Sequence, residues 1–343
     1  MIPNESLGQI LDVGVSLLPV FVFLAGLMFF DSFKLVQLRS VVRAILVGCL
    51  VAIAAFLINT QVVRQLDIDL VLYRRYGAPV LEEIGKTLYL FYLLRSDRIG
   101  FSVDAAIYGF AVGAGFAFVE NVYYLQSLQD ASFLVWFIRG FGTAIMHGGA
   151  TAIVGILSKA LSDRMSSRSF RILLPGLAIA VVVHSLYNHF LLSPLASTIG
   201  ILVILPLLTV LVYERSEQAT RRWLGVGFDS DMELLNTITT GNIGRTNVGK
   251  YLQSLQHRFR GEVIADMLCF LRVHLELSVQ AKGILMMRAS GFDVQPDPEV
   301  RNQLSELEYL ERTIGRTGVL AMKPFFHTSN RHLWQLHMLG KAR

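Results

Sequence analysis

Long apolar segments recur through the first 213 residues, and they restrict what this chain can fold into more than any other feature of its sequence. We place them at roughly 10–30, 41–59, 78–95, 103–125, 140–159, 171–192 and 196–213. Apolar segments of about 17–25 residues can cross a hydrocarbon core as helices, which satisfy their own backbone hydrogen bonds there. The sequence therefore predicts an all-α, polytopic membrane helix bundle with about seven spans.

Charged residues divide the chain into two parts. The first 213 residues carry 26 charged side chains, whereas the last 130 residues carry 31. We therefore expect a transmembrane domain over residues 1–213 and a helical soluble domain over residues 214–343. In the second domain, the apolar spacing and the glycine- and proline-containing breaks predict helices at 229–239, 246–288, 297–315 and 328–339.

Lysine and arginine in the short loops predict the orientation in the membrane. The loops after the first, third and fifth spans contain Lys34, Arg39, Arg43, Arg95, Arg98, Lys159, Arg164, Arg168 and Arg171. Short cytoplasmic loops carry an excess of such residues, so we expect the N-terminus outside and residues 214–343 in the cytoplasm. Residues 60–77 are predicted to form an outer loop, and residues 131–139 to lie at the outer interface. The net charge of +5 comes largely from the loops, so we expect a lipid bilayer and no nucleic acid as the surroundings.

Ionisable and amide side chains interrupt four of the apolar segments. They are Glu82, Glu83, Lys86, Glu120, His147, His184 and Asn188. A charge at the bilayer centre costs about 2.5–3.5 kcal/mol on insertion scales, so such groups require a buried, paired or hydrated role. At the helical rise per residue they reach similar depths in the outer half of the bilayer. Helical spacing also places Glu82 with Lys86, and His184 with Asn188, on one face.

Each of these residues also has a purely structural interpretation. Glu120 could pair with Lys86, and His147 could be an ordinary core histidine, although several such groups at one depth favour a shared site. The glycines at 109, 113, 115, 140, 142, 148 and 149 are expected to permit close helix packing. Two other classes of protein remain open, a proton-coupled transporter or channel and a non-catalytic membrane scaffold. We find no inverted repeat that would favour the transporter, and a scaffold leaves the clustered charges unexplained.

Four segments resemble the motifs of the PrsW family of intramembrane proteases, which is related to the CAAX prenyl protease and bacteriocin-processing superfamily. They are Glu82-Glu83-Ile84-Gly85-Lys86, Gly115-Phe116-Ala117-Phe118-Val119-Glu120-Asn121, His147-Gly148-Gly149 and His184-Ser185-Leu186-Tyr187-Asn188. The resemblance covers about residues 10–213, and Glu120 stands where prenyl proteases have a histidine. It implies an endopeptidase in a bacterial inner membrane that cuts a single-span membrane substrate, such as an anti-sigma factor, near the outer face.

The catalytic hypothesis assigns a role to each of the seven polar residues. Glu82 takes a proton from water, while Glu83 and Lys86 set its charge. His147, His184 and Asn188 polarise the scissile carbonyl or hold the water. A zinc ion could be held by Glu120, His147 and His184, with Glu82 as the base. The glutamate and histidines could equally activate water without a metal, and the absence of an H-E-x-x-H motif leaves both mechanisms open.

Overall fold

A computed structural model describes residues 4–31, 33, 36–128, 131–165, 169–189, 191–292, 294, 296–325 and 339. Within these ranges the regular structure is entirely helical, which confirms the predicted all-α class. The chain forms two compact units, Met1–Ser216 and Glu217–Arg343. The assignment of residues 1–213 to the protease and of 214–343 to a cytoplasmic domain stays a prediction.

The first unit is built mainly from long helices. They are α1 (Asn4–Phe29), α2 (Leu38–Leu66), α3 (Leu70–Leu72), α4 (Ala78–Arg95), α5 (Ser102–Ser127), α6 (Phe133–Phe137), α7 (Ala144–Met165), α8 (Leu174–His189) and the beginning of α9 (Pro194–Thr239). Two π-helical segments, Tyr73–Gly77 and Ile138–Thr143, lead into α4 and α7. In the described part of the chain, six helical segments are long and apolar enough to cross a membrane: Gly8–Phe29, Leu38–Leu66, Ser102–Ser127, Phe133–Met165, Phe170–His189 and Pro194–Thr239.

The seventh predicted span, residues 78–95, forms the 18-residue helix α4. It is not among the six apolar segments because Glu82, Glu83, Lys86 and Arg95 make it too charged. The helix packs against α2, α7 and α8, and it buries Glu83 and Lys86 completely. Its charges are thus directed into the protein, as an intramembrane position for this helix would require.

Helices α5 and α7 form the centre of the first unit. Most of their residues are buried, whereas α1, α2, α8 and α9 expose many apolar side chains. A side chain at Gly113 would overlap the backbone carbonyl of His147 in α7, and one at Gly115 would overlap that of Ile45 in α2. These glycines therefore allow the close helix packing that the sequence predicts.

Two segments of the first unit differ from their predicted conformation. Most of the predicted 60–77 loop is helical, because α2 continues to Leu66 and the chain returns to helix at Leu70. The Asp69 carboxylate accepts a hydrogen bond from the Leu72 amide at 2.8 Å and so caps the new helix. Residues 133–143 are also helical and continue into α7, with Trp136 buried in the protein.

The second unit contains the rest of α9, α10 (Asn247–Ser254), α11 (Gly261–Ala289) and α12 (Val300–Met322). The predicted helix 246–288 is interrupted because the Arg258 amide closes a 3-10 turn onto Leu255 and Arg260 is extended. The predicted helix 297–315 begins at Val300 and bends at Gly315, whose φ of 68° favours glycine. Apart from residue 339, the predicted helix 328–339 lies outside the described residues.

Helix α9 continues through the predicted break between residues 213 and 229. The Glu217 and Arg221 side chains form an i,i+4 ion pair at 2.8 Å within this stretch. Thr220 and Leu224 are buried on the same helix. The charged composition that suggested a linker is therefore compatible with a continuous helix.

Candidate active site

Glu83 is the centre of a buried polar network. Its Oε1 atom accepts hydrogen bonds from Lys86 Nζ at 2.6 Å and His184 Nδ1 at 2.8 Å. Lys86 Nζ also lies 3.1 Å from His147 Nδ1. All four side chains are buried. The ammonium group and the imidazole thus compensate a carboxylate that would otherwise be very costly to bury.

The geometry of α4 separates its two adjacent carboxylates. The predicted i,i+4 relation of Glu82 and Lys86 does not become a contact, because Lys86 pairs with Glu83 at i,i+3. Successive residues of an α-helix are rotated by about 100°. Glu83 therefore points into the protein, whereas Glu82 lines a cavity of about 720 Å³.

Glu82 is held by hydrogen bonds from outside its own helix. Its Oε1 atom accepts a hydrogen bond from Asn59 Nδ2 at 3.2 Å, and Asn59 Oδ1 accepts one from the Tyr73 hydroxyl at 2.7 Å. Its Oε2 atom lies 3.9 Å from His184 Nε2. One carboxylate oxygen is thus fixed by a neutral amide, and the other lies near a histidine.

Glu120 contacts the site from α5. Its Oε2 atom lies 3.0 Å from His147 Nε2 and 3.4 Å from Arg139 Nη2. Arg139 Nε donates to Asn121 Oδ1 at 2.9 Å, and its guanidinium lies 3.7 Å from the centroid of the Tyr124 ring. Arg139 is therefore bound to protein groups, which is why the expectation of an arginine at the lipid interface does not describe it.

The two histidines meet on an aromatic wall. The His147 and His184 rings are perpendicular, with centroids 4.7 Å apart. The Phe116 ring lies 5.0 Å from the His147 ring and 4.7 Å from Lys86 Nζ. An apolar wall of this kind lowers the local polarity and strengthens the polar contacts beside it.

Asn188 lines the same cavity, but it lies outside the hydrogen-bonded network of the other six predicted residues. Its Nδ2 atom donates to the Arg74 carbonyl at 3.0 Å. One turn earlier, Ser185 Oγ donates to the Arg75 carbonyl at 2.7 Å. Both bonds connect α8 to the π-helical segment before α4. Asn188 therefore contributes to the position of the helix that carries Glu82.

Three of the cavity-lining donors have the composition of a metal site. Ligand atoms of Glu82, His147 and His184 lie within 4.8 Å of one another. Two imidazoles and a carboxylate form a set that zinc accepts, and His184 presents its second nitrogen to Glu83, as metal-bound histidines do. The donors therefore fit a metal. The structure differs from the predicted zinc ligands by grouping Glu82, and not Glu120, with the histidines.

Sequence reasoning missed three polar residues of the site, Asn59, Tyr73 and Arg139. Asn59 ends an apolar segment and Arg139 interrupts an apolar stretch, so both carried the signal of a polar group at membrane depth. Tyr73 carried no such signal because tyrosine is common near membrane interfaces. Its contact with Asn59 arises only when α2 and the π-helical segment pack together.

Comparison with known proteins supports the family resemblance of this site. The model of the PrsW family intramembrane metalloproteases matches residues 37–212, which include all seven predicted site residues. No curated protein and no solved structure matches the chain. The family match covers slightly more than half of the sequence and contains five of the six apolar helical segments, in whole or in part. The chain therefore belongs to the PrsW family of intramembrane metalloproteases, and it is an integral, multi-pass membrane protease that acts on a membrane-protein substrate.

Proposed function

We propose that this protease hydrolyses a peptide bond of a single-span protein near the outer face of a bacterial inner membrane. The position of Glu82 carries this proposal, because it brings a carboxylate to the cavity beside two imidazoles. Glu83, although adjacent in sequence, is buried and paired with Lys86. The family resemblance suggests first-site cleavage of an anti-sigma factor as an example of the reaction.

Within this proposal the buried residues support the reacting ones. Glu83 accepts the Nδ1 proton of His184, which leaves Nε2 facing Glu82. Lys86 balances the charge of Glu83 and directs a proton toward His147 Nδ1. His147 and His184 thereby present their Nε2 sides toward the cavity carboxylates, and Asn188 lines the position of the substrate.

Zinc is the metal that we propose for Glu82, His147 and His184. When bound, such an ion polarises a carbonyl and makes water more acidic. In that form Glu120 is the remaining cavity carboxylate that can accept the water proton. Without a metal, Glu82 Oε2 accepts that proton and later delivers it to the leaving amine.

The lining of the cavity supports a membrane-embedded substrate. Its apolar side is formed by α2 and α3, with Ile53, Phe56, Val63, Leu70 and Val71. Several of these side chains are largely exposed, including Ile53 and Phe56. An extended apolar segment can bury them, and its unwound peptide bond would then lie beside Glu82.

Purified protein incubated with a single-span test substrate, with and without a strong chelator, tests this function. Glu82→Gln is the matched negative control because it preserves the side-chain shape. Cleavage by wild type and none by the variant is the expected result. Chelator-sensitive cleavage supports the zinc form, and cleavage unaffected by chelator supports direct water activation. Absence of cleavage by well-folded wild type would contradict the proposal.

A further inference from the structure

Asn59 and Tyr73 connect Glu82 to the corner between α2 and α4. The Tyr73 hydroxyl donates to Asn59 Oδ1 at 2.7 Å, and Asn59 Nδ2 donates to Glu82 Oε1 at 3.2 Å. The three residues come from α2, the π-helical segment and α4. All three line the cavity, so this chain of hydrogen bonds lies beside the bound substrate of the proposed function.

The chain of hydrogen bonds has a defined direction. A carboxylate accepts hydrogen bonds, so Asn59 must present its amide nitrogen to Glu82. The Tyr73 hydroxyl donates to the opposite end of that amide and favours the same orientation. A rotated amide would face Glu82 with its oxygen, and two acceptors would repel each other. Tyr73 therefore determines which end of Asn59 meets the carboxylate.

Gly77 explains how Tyr73 reaches this position. The Tyr73 side chain is buried, and a Cβ atom added to Gly77 would lie 2.5 Å from Tyr73 Cε2 and 2.6 Å from Cδ2. The ring thus occupies the space that a side chain at Gly77 would fill. Both residues belong to the π-helical turn Tyr73–Gly77, and such turns are frequent at functional sites.

We propose that Asn59 and Tyr73 are positioning residues for Glu82. They hold Oε1 on the α2 side of the cavity, which leaves Oε2 directed at His184 Nε2. The inference rests on the proposed function of Glu82, as a proton acceptor or as a metal ligand. Either role requires a fixed carboxylate, because a supporting hydrogen-bond partner of a ligand or base determines its orientation.

Single and double variants test the relay in full-length protein. Asn59→Leu removes the donor to Glu82, and Tyr73→Phe removes only the hydroxyl. We expect Asn59→Leu to lower kcat by about 10–100-fold with little change in KM, and Tyr73→Phe to lower it less. Because the hydroxyl acts through Asn59, the double variant should match Asn59→Leu alone. Additive losses, or an effect confined to KM, would overturn the proposal.

Matched controls separate positioning from general damage. Gln61→Leu makes the same kind of change on the same helix at an exposed position, and Tyr92→Phe removes an exposed hydroxyl from α4. Both should retain wild-type kcat. Thermal stability in detergent identifies variants that fail to fold. For such a variant, Asn59→Ser and Tyr73→Leu provide second substitutions with the same expected kcat loss.

Zinc binding gives a readout that does not depend on turnover. If wild type binds zinc, Asn59→Leu should weaken binding by about 10–100-fold, while Gln61→Leu should not. The proposed function fails separately, when wild type does not cleave or Glu82→Gln cleaves normally. The relay alone fails when Glu82→Gln is inactive but well-folded Asn59→Leu keeps wild-type kcat.

Discussion

His184 Nδ1 lies 2.8 Å from Glu83 Oε1, although the two residues are 101 positions apart in the sequence. This contact joins α8 to α4 in the interior of the first unit. It also orients the imidazole, because a histidine that donates through Nδ1 leaves Nε2 for the cavity. We infer that Glu83 supports the site through His184, while Glu82 takes part in the reaction.

Replacement of either adjacent carboxylate should abolish cleavage by different routes. Glu82→Gln removes a reacting group and should lower the rate by about 10²–10⁴-fold with normal membrane insertion. Glu83→Gln leaves Lys86 without its anionic partner and should also destabilise the fold, by roughly 3–5 kcal/mol. Cleavage assays beside thermal unfolding in detergent distinguish the two. Adding Lys86→Met to Glu83→Gln should recover stability without activity, and normal cleavage by both single variants would disprove these roles.

The metal content should depend on the two histidines. Purified wild type is expected to carry about one zinc ion per chain, and His147→Ala combined with His184→Ala should carry none. Elemental analysis of both proteins measures this. Glu82→Gln should reduce zinc occupancy more than Glu120→Gln if the ligands are those grouped in the structure. A metal-free wild type that cleaves in strong chelator would exclude the zinc form.

Reporter fusions test the predicted orientation. A reporter after Arg222 should be cytoplasmic, and one inserted between residues 124 and 132 should be outside. The physical reason is the excess of lysine and arginine in the loops after the first, third and fifth spans. Accessibility to a membrane-impermeant reagent reads out both fusions. The reverse result would move the proposed cut to the cytoplasmic side.

A chain truncated after Arg222 tests the role of the second unit. All contacts of the polar network lie before Ser216, so the truncated protein should still cut a short test substrate. We expect regulation, and not chemistry, to require the deleted residues. Cleavage rates for short and full-length substrates, compared with wild type, measure both. A truncated protein that inserts normally but cannot cut would assign the second unit to the active enzyme.

The second unit should lose stability in acid through His274. Burial lowers the pKa of this histidine to about 4, although Asp231 acts in the opposite direction. An unfolded chain binds this proton near its ordinary pKa of 6.5, before the folded chain does. Acidification from pH 7 to about 4 therefore favours unfolding, by roughly 3 kcal/mol.

Hydrogen exchange of α11, corrected for the intrinsic effect of pH, measures this loss. His274→Gln should remove most of the pH dependence. His257→Gln, at an exposed histidine, should leave it unchanged. Equal pH dependence in wild type and His274→Gln would show that other groups control acid stability.

The helices and their membrane character follow from the sequence alone. Long apolar segments leave the backbone few alternatives to a helix in lipid, so the all-α class could be predicted from local composition. The order of the four motifs likewise identified the family, which the match over residues 37–212 confirms. Charge at membrane depth also indicated Glu82, Glu83, Lys86, Glu120, His147, His184 and Asn188 as the residues to examine.

Only the tertiary structure decided which of these residues meet. Periodicity shows which face of its own helix a side chain occupies, but not how neighbouring helices are rotated against each other. That rotation pairs Lys86 with Glu83, groups Glu82 with the histidines, and brings Asn59 to a carboxylate 23 positions away. Such contacts depend on packing between distant segments, where small residues such as Gly113 and Gly115 set the distances between helices.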